Sequence, residues 1–194
     1  MELIFATNNA HKLQEIQEII GDKFKILSLK DIGFNEEIPE TQPTIEGNAK
    51  QKAQYIFDRY EKPVFADDTG LEVDALNGEP GVYSARYAGE NCTFEDNVNL
   101  LLKNLDGHSN RHSQFKTVIA LQLSETKVEL FEGIIKGDIT ENCLGEKGFG
   151  YDPIFKPYGS QQTFAEMGSE EKNRISHRGL ATQKLVSFLK NLHD

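Results

Sequence analysis

Apolar positions change their period several times along the chain, and each change predicts an element. Leu3 to Ala6 is a short unbroken apolar run, which predicts a buried strand. Thr7-Asn8-Asn9 interrupts it as a turn. Leu13, Ile16, Ile19 and Ile20 then recur at helical spacing until Gly21-Asp22 stops the helix. This strand–loop–helix unit opens an α/β pattern. Phe24 to Leu29 can form a second strand, and Pro39 to Pro43 form a loop. Ala49, Ala53, Ile56, Phe57 and Tyr60 share one face of a second helix, capped near Thr44. Pro63 starts a strand through Val64, Phe65 and Ala66 that runs into Asp67-Asp68-Thr69-Gly70. Leu71 to Leu76 continues as strand or loop up to the turn Asn77-Gly78.

The stretch Glu79 to Asn91 has little periodicity and reads as a surface loop. Thr93 with Asp96 resembles a capping box, and Val98, Leu101, Leu102 and Leu105 supply the face of a third helix. Phe115 to Leu123 and Val128 to Ile139 are β-rich runs around Ser124 to Lys127, an expected antiparallel hairpin with Gly133 as a candidate bulge. Asn142 to Gly159 is glycine-rich. A short helix is expected around Ser169 to Arg174. Ser176 can cap a final helix that turns Ala181, Leu185, Phe188, Leu189 and Leu192 inward. No repeat or linker interrupts the chain, so the expectation is a single mixed α/β domain over residues 1–194, with the hairpin region as a possible second lobe.

Composition narrows the function. The 194 residues carry 21 basic and 31 acidic side chains, a formal net charge of −10. Such a surface repels phosphate backbones, so long nucleic acid is not an expected partner. No apolar stretch approaches the roughly 20 residues needed to span a bilayer, and Met1-Glu2-Leu3-Ile4-Phe5 lacks a signal peptide's basic start. Cys92 and Cys143 form neither a disulfide framework nor a zinc site, which makes the cytoplasm the default compartment. Binding of a small anion would need local cations that look out of place in so acidic a chain.

Two such places exist. His11 and Lys12 occupy the first turn of the first helix, and His177 and Arg178 follow Ser176 at the start of the last. Helix starts carry partial positive charge and disfavour cations. A lysine beside the free N–H groups of a helix start makes a ready anion site; each pair also reads as a solvated surface pair. Lys52 on the second helix either reaches over its edge toward a site or lies in solvent. Asp67 and Asp68 fall at the expected end of a strand, a usual place for ligands in open α/β sheets, although an exposed Asp-Asp turn is an equal reading. Strand alternation points the two carboxylates opposite ways. Glu40, in the proline-bounded loop, could add a second carboxylate for a hard cation such as Mg²⁺. Gly148-Phe149-Gly150-Tyr151-Asp152-Pro153 is either an ordinary loop with aromatic plugs or an aromatic slot for a flat ligand. There is no GxxxxGK[ST] phosphate loop, and the glycines do not complete a dinucleotide fingerprint.

In this order, Thr7-Asn8-Asn9-Ala10-His11-Lys12, Glu40, Asp67-Asp68-Thr69-Gly70-Leu71, Pro80-Gly81-Val82-Tyr83-Ser84-Ala85-Arg86-Tyr87, Gly148 to Pro153 and Ser176-His177-Arg178-Gly179 resemble the inosine triphosphatase family. That family comprises the pyrophosphatases of non-canonical purine nucleoside triphosphates. The resemblance implies an elongated mixed sheet flanked by helices, two lobes with a central cleft, and a homodimer. It implies Mg²⁺-dependent hydrolysis of inosine, deoxyinosine and xanthosine triphosphates to monophosphate and pyrophosphate. It also implies roles. Thr7, Asn8, Asn9, Ala10, His11 and Lys12 would cradle the phosphates, with Lys52 approaching them. Glu40 and Asp68 would hold the metal, Asp68 also accepting a proton from the attacking water. Thr69 would line the pocket; bacterial members of the family usually carry serine at this position. Phe149, Gly150, Tyr151 and Asp152 would stack on and border the base, and Lys172, His177 and Arg178 would read its edge. An enzyme of the same architecture acting on other modified nucleotides, or a non-catalytic nucleotide binder, are the competing readings.

Overall fold

A computed structural model describes residues 2–192. Strand β1 (Glu2–Phe5) leads through the Thr7–Asn9 turn into helix α1 (Ala10–Ile20), and β2 (Lys25–Leu27) follows. Helix α2 (Ile45–Tyr60) starts at Thr44, whose hydroxyl accepts from Gly47 N–H at 3.0 Å, as the sequence predicts. Strand β3 (Val64–Val73), β4 (Pro80–Gly81), α3 (Phe94–Asn104), β5 (His112–Ser124), β6 (Lys127–Ile139), β7 (Phe155–Pro157), α4 (Ser169–Ile175) and α5 (His177–Asn191) complete the order. The Thr93–Asp96 capping box is present in both directions.

The strands form one mixed sheet in the order β2-β1-β3-β5-β6-β7, with β4 paired to β3. β1 runs parallel to β2 and β3, whereas β4 and β7 pair antiparallel to β3 and β6. The segment 79–91 is not wholly loop: it contains β4 and a single turn of 3₁₀ helix, Ser84–Arg86. Leu192, expected to face inward, is 41% exposed, beyond the end of α5.

The described chain condenses into two units. The first comprises residues 2–68, 117–133 and 178–192, the second residues 69–116 and 134–177. The first is cored by Leu3, Phe5, Ile16, Ile20, Phe65, Ile119, Leu121, Ala181, Leu185 and Leu189. The second is cored by Leu71, Val98, Leu101, Phe115, Ile154, Phe155, Phe164 and Met167. The chain passes between them four times, and two of these passages, Asp68–Thr69 and His177–Arg178, fall within segments that the sequence singles out.

One correction to the sequence reading matters for chemistry. Asp67 and Asp68 do not close a strand; β3 continues through them to Val73. They are not an exposed turn either, since Asp67 is 0% and Asp68 6% exposed. β1 is the strand that stops here. Its register pairs Phe5 with Phe65, the two rings stacked at 4.6 Å, and Ala6 N–H donates to Phe65 O at 2.8 Å. The turn leaving β1 therefore emerges beside Asp67, and α1 starts next to the carboxylates.

Candidate active site

In the first unit, alternation along β3 gives the two aspartates different partners. Asp67 accepts from Lys12 Nζ at 3.0 Å and from Arg178 Nε at 3.3 Å. Arg178 is 2% exposed, and its other guanidinium arm is held by Glu15 of α1. Burial pushes the Asp67 carboxyl up, but Lys12, Arg178 and Lys52 outweigh it and hold the group far below the usual carboxylate range. Burial likewise weighs against the Lys12 ammonium, which Lys52 and Arg178 also repel. The pull of Asp67 offsets this only in part, so Lys12 is held below the usual lysine range.

Asp68 points to another group. Lys52 Nζ lies 2.5 Å from Glu40 Oε1 and 3.8 Å from Asp68 Oδ1, and Asn48 Nδ2 donates to Asp68 Oδ2 at 3.2 Å. Burial raises the Asp68 carboxyl above its ordinary value despite Lys52 and Lys12, and Glu40 adds to the rise. Glu40 moves the other way: burial raises it, but the Lys52 charge and hydrogen bond outweigh this. Lys52 is pushed down by burial and more strongly raised by Asp68, Glu40 and Asp67. Lys52 is therefore not solvated; it is 5% exposed and bridges two carboxylates.

Lys12, Lys52 and Arg178 stand against Glu15, Glu40, Asp67 and Asp68, three cations to four carboxylates. Among the described residues no cluster of three or more His, Cys, Asp or Glu is arranged to hold a metal. The donors available are the two carboxylates that converge on Lys52. That set suits a hard divalent cation, which takes one or two carboxylates and completes its shell with phosphate oxygens and water.

The start of α1 is organised rather than bare. Asn9 Oδ1 accepts from His11 N–H at 3.0 Å and Lys12 N–H at 3.2 Å, and Asn9 N–H donates to Thr7 Oγ1 at 3.1 Å. Asn8 Nδ2 donates to Glu36 O at 3.4 Å. Two of the N–H groups expected to be free for an anion are thus capped by Asn9. Asn8, Ala10 and His11 are exposed, and Thr7 is half-buried.

The second unit gathers the other candidates. Asp152, 3% exposed, accepts from Phe149 N–H at 2.9 Å and from Lys172 Nζ at 2.6 Å through the same Oδ2. Lys172 Nζ lies 5.1 Å from the Phe149 ring centroid, and Phe94 packs on Phe149 at 5.9 Å. The His177 ring is stacked on Phe115 at 4.4 Å and 14°. Thr69 is half-buried on β3. Gly148 adopts φ +74°, and a Cβ there would stand 2.0 Å from Asp152 Oδ2. Gly148→Ala is therefore expected to destabilise by about 2 kcal/mol and to lower the thermal midpoint by about 4–8 °C, measurable by calorimetry.

Two of the residues expected at the base are buried and engaged within the protein. Tyr151 is 5% exposed inside the second core, and its hydroxyl donates to Ser84 O at 2.8 Å. Its ring is an anchor rather than an open stacking face. Ser84 also donates to Gly81 O and accepts from Leu71 N–H, which gives the segment 80–87 a structural reason. Arg178 joins the Lys12–Asp67 network rather than Lys172, because Glu15 and Asp67 engage its guanidinium. Sequence reasoning missed Glu15, Asn48 and Ser84. For Asn48 a signal existed: Asn48, Ala49, Lys52, Ala53 and Ile56 form one buried stripe, and an amide inside it asks for a partner.

The Ham1 family profile matches residues 3–188. The chain belongs to the Ham1 family. It is 58% identical over 189 residues to a protein of Flavobacterium johnsoniae named dITP/XTP pyrophosphatase, covering 97% of this chain and 98% of the relative. A relative of the same name from Flavobacterium psychrophilum is 56% identical over 191 residues, 98% of this chain and 100% of its own. Among solved structures, a HAM1 protein from Coxiella burnetii aligns with a TM-score of 0.91 at 38% identity, covering 98% and 99% of the two chains. The Ham1 protein of Staphylococcus aureus aligns at 0.90 and 38% identity, covering 99% and 100%. The mixed sheet flanked by helices, expected from the resemblance, is the fold of this chain. Among the described residues no helix is long and apolar enough to cross a membrane.

Proposed function

We propose that this protein hydrolyses non-canonical purine nucleoside triphosphates, those of inosine, deoxyinosine and xanthosine, between the α- and β-phosphates, giving a monophosphate and pyrophosphate. The observation that carries the reading is Lys52 held between Glu40 and Asp68, with Lys12 on the neighbouring Asp67. Cations are placed where a polyphosphate needs them, beside a carboxylate suited to water. The name shared by the near-full-length relatives supports the substrate class.

Lys12 and Lys52 neutralise phosphate oxygens, and the turn Thr7 to His11 contributes hydroxyl, amide and backbone donors. Asp68 orients the attacking water and takes its proton. Glu40 and Asp68 would hold Mg²⁺, which when bound supplies positive charge against the triphosphate.

Base choice follows from donors. The 6-keto oxygen of hypoxanthine or xanthine accepts a hydrogen bond, whereas the 6-amino group of adenine donates. Lys172, an obligate donor held by Asp152, can pair with the keto oxygen and is left unpaired by adenine. Phe149 supplies the stacking face, bordered by Gly150. The acidic surface, the free Cys92 and Cys143 and the resemblance together favour a cytoplasmic homodimer with neither nucleic acid nor membrane as partner.

The test is a product assay. Inosine triphosphate with Mg²⁺ should yield monophosphate and pyrophosphate, with ATP turned over more slowly by about 10²-fold or more. Orthophosphate as the first product, or equal turnover of ATP, contradicts the reading.

A further inference from the structure

Helix α2 presents Asn48, Gln51 and Lys52 at i, i+3 and i+4, a spacing that sets them on one face. Each holds one of three successive residues of the loop that carries Glu40. Lys52 takes Glu40 itself at 2.5 Å. Gln51 accepts from Thr41 N–H at 2.9 Å and donates to Thr41 Oγ1 at 2.8 Å. Asn48 Oδ1 accepts from Gln42 N–H at 2.9 Å. The loop lies close against the helix start, since a Cβ at Gly47 would stand 2.8 Å from Gln42 Cβ.

Asn48 does more than clasp the loop. Its Nδ2 donates to Asp68 Oδ2 at 3.2 Å, so one buried amide, 1% exposed, ties the Glu40 loop to β3. Its orientation is chemically determined. A backbone N–H can only donate, so the amide oxygen must face Gln42 and the NH₂ must face the carboxylate. Lys52 also joins Glu40 to Asp68, but through a flexible stem and a charge that a phosphate would compete for. Asn48 is short, neutral and committed at both ends.

We infer that Asn48 is a positioning residue: it sets the separation of the Glu40 and Asp68 carboxylates and keeps it when Lys52 turns to substrate. The inference rests on the reading of those two carboxylates as the metal pair. Orienting partners of metal-binding groups commonly alter affinity or activity by about 10–100-fold when removed.

The experiment compares the whole protein with Asn48→Ala, with Asn48→Leu, which keeps the branched outline but removes both polar atoms, and with Asp68→Asn. Folding is followed by circular dichroism, Mn²⁺ binding without nucleotide by electron paramagnetic resonance, and kcat and KM with inosine triphosphate at saturating Mg²⁺. Both Asn48 variants should fold, weaken Mn²⁺ binding by about tenfold and lower kcat by about 10–100-fold, with KM within about threefold. A purely structural amide would lower the melting temperature and leave kcat and Mn²⁺ affinity within about twofold, and that result overturns the inference. Loss of fold in both Asn48 variants overturns it as well, by assigning the residue to the framework. If Asp68→Asn itself keeps Mn²⁺ binding, the metal reading fails. If it loses binding while the Asn48 variants keep it, only the role of Asn48 fails.

Discussion

Asp68→Asn is expected to lower turnover of inosine triphosphate by about 10³-fold while the protein stays folded. The substitution keeps size and shape but removes the proton acceptor and one of the two carboxylates on Lys52. Stability should change little, because the ionised form of Asp68 is already disfavoured by burial and by Glu40. Lys52 retains Glu40 at 2.5 Å, so no buried ammonium is stranded. Pyrophosphate release in steady state, beside a thermal melt, measures both halves of the expectation. A variant with wild-type turnover would remove Asp68 from the chemistry.

Its neighbour should behave in the opposite way. Asp67→Asn is expected to destabilise the fold by about 3–5 kcal/mol, because it leaves the buried Arg178 and the half-buried Lys12 with less negative charge between them. For a chain of this size that is a fall in thermal midpoint on the order of 10 °C. The dependence on pH has a definite sign. A carboxyl held far below its unfolded value contributes stability that is complete above the unfolded pKa of about 3.9 and is lost as pH falls through the folded value. Asp68, raised rather than lowered, contributes with the opposite sign. The difference between wild type and Asp67→Asn isolates Asp67: it should be large and level above about pH 5 and shrink steadily below about pH 4. Chemical denaturation at several pH values gives this difference directly; one that does not shrink in acid would contradict the ion-pair account.

These contrasting expectations rest on strand alternation, which was legible in the sequence. So were β1, its turn and α1, the Thr44 cap and the Thr93–Asp96 box, because each depends on residues a few positions apart. The course of β3 was not legible. Two adjacent aspartates inside a strand read locally as its end, and only distant cations make their burial tolerable: Arg178 is 111 residues from Asp67 in sequence. The same distance hid the allegiance of Arg178, which sits one position after His177 yet joins Asp67 and Glu15 instead of Lys172. The burial of Tyr151 is hidden in the sequence for a related reason. An aromatic between a glycine and an aspartate resembles a slot wall, and its burial depends on Ser84, 67 positions earlier. Asn48 is hard to read from the sequence because apolar spacing marks the buried stripe of α2, and an amide adds nothing to that signal.

The most direct test of the central claim is a crystal structure with Mg²⁺ and an inosine triphosphate analogue whose α–β bridge resists hydrolysis. The account predicts phosphate oxygens within hydrogen-bond reach of Lys12 and Lys52 and the metal on Glu40 and Asp68. A polyphosphate bound away from both lysines, or a metal that touches neither carboxylate, would contradict it.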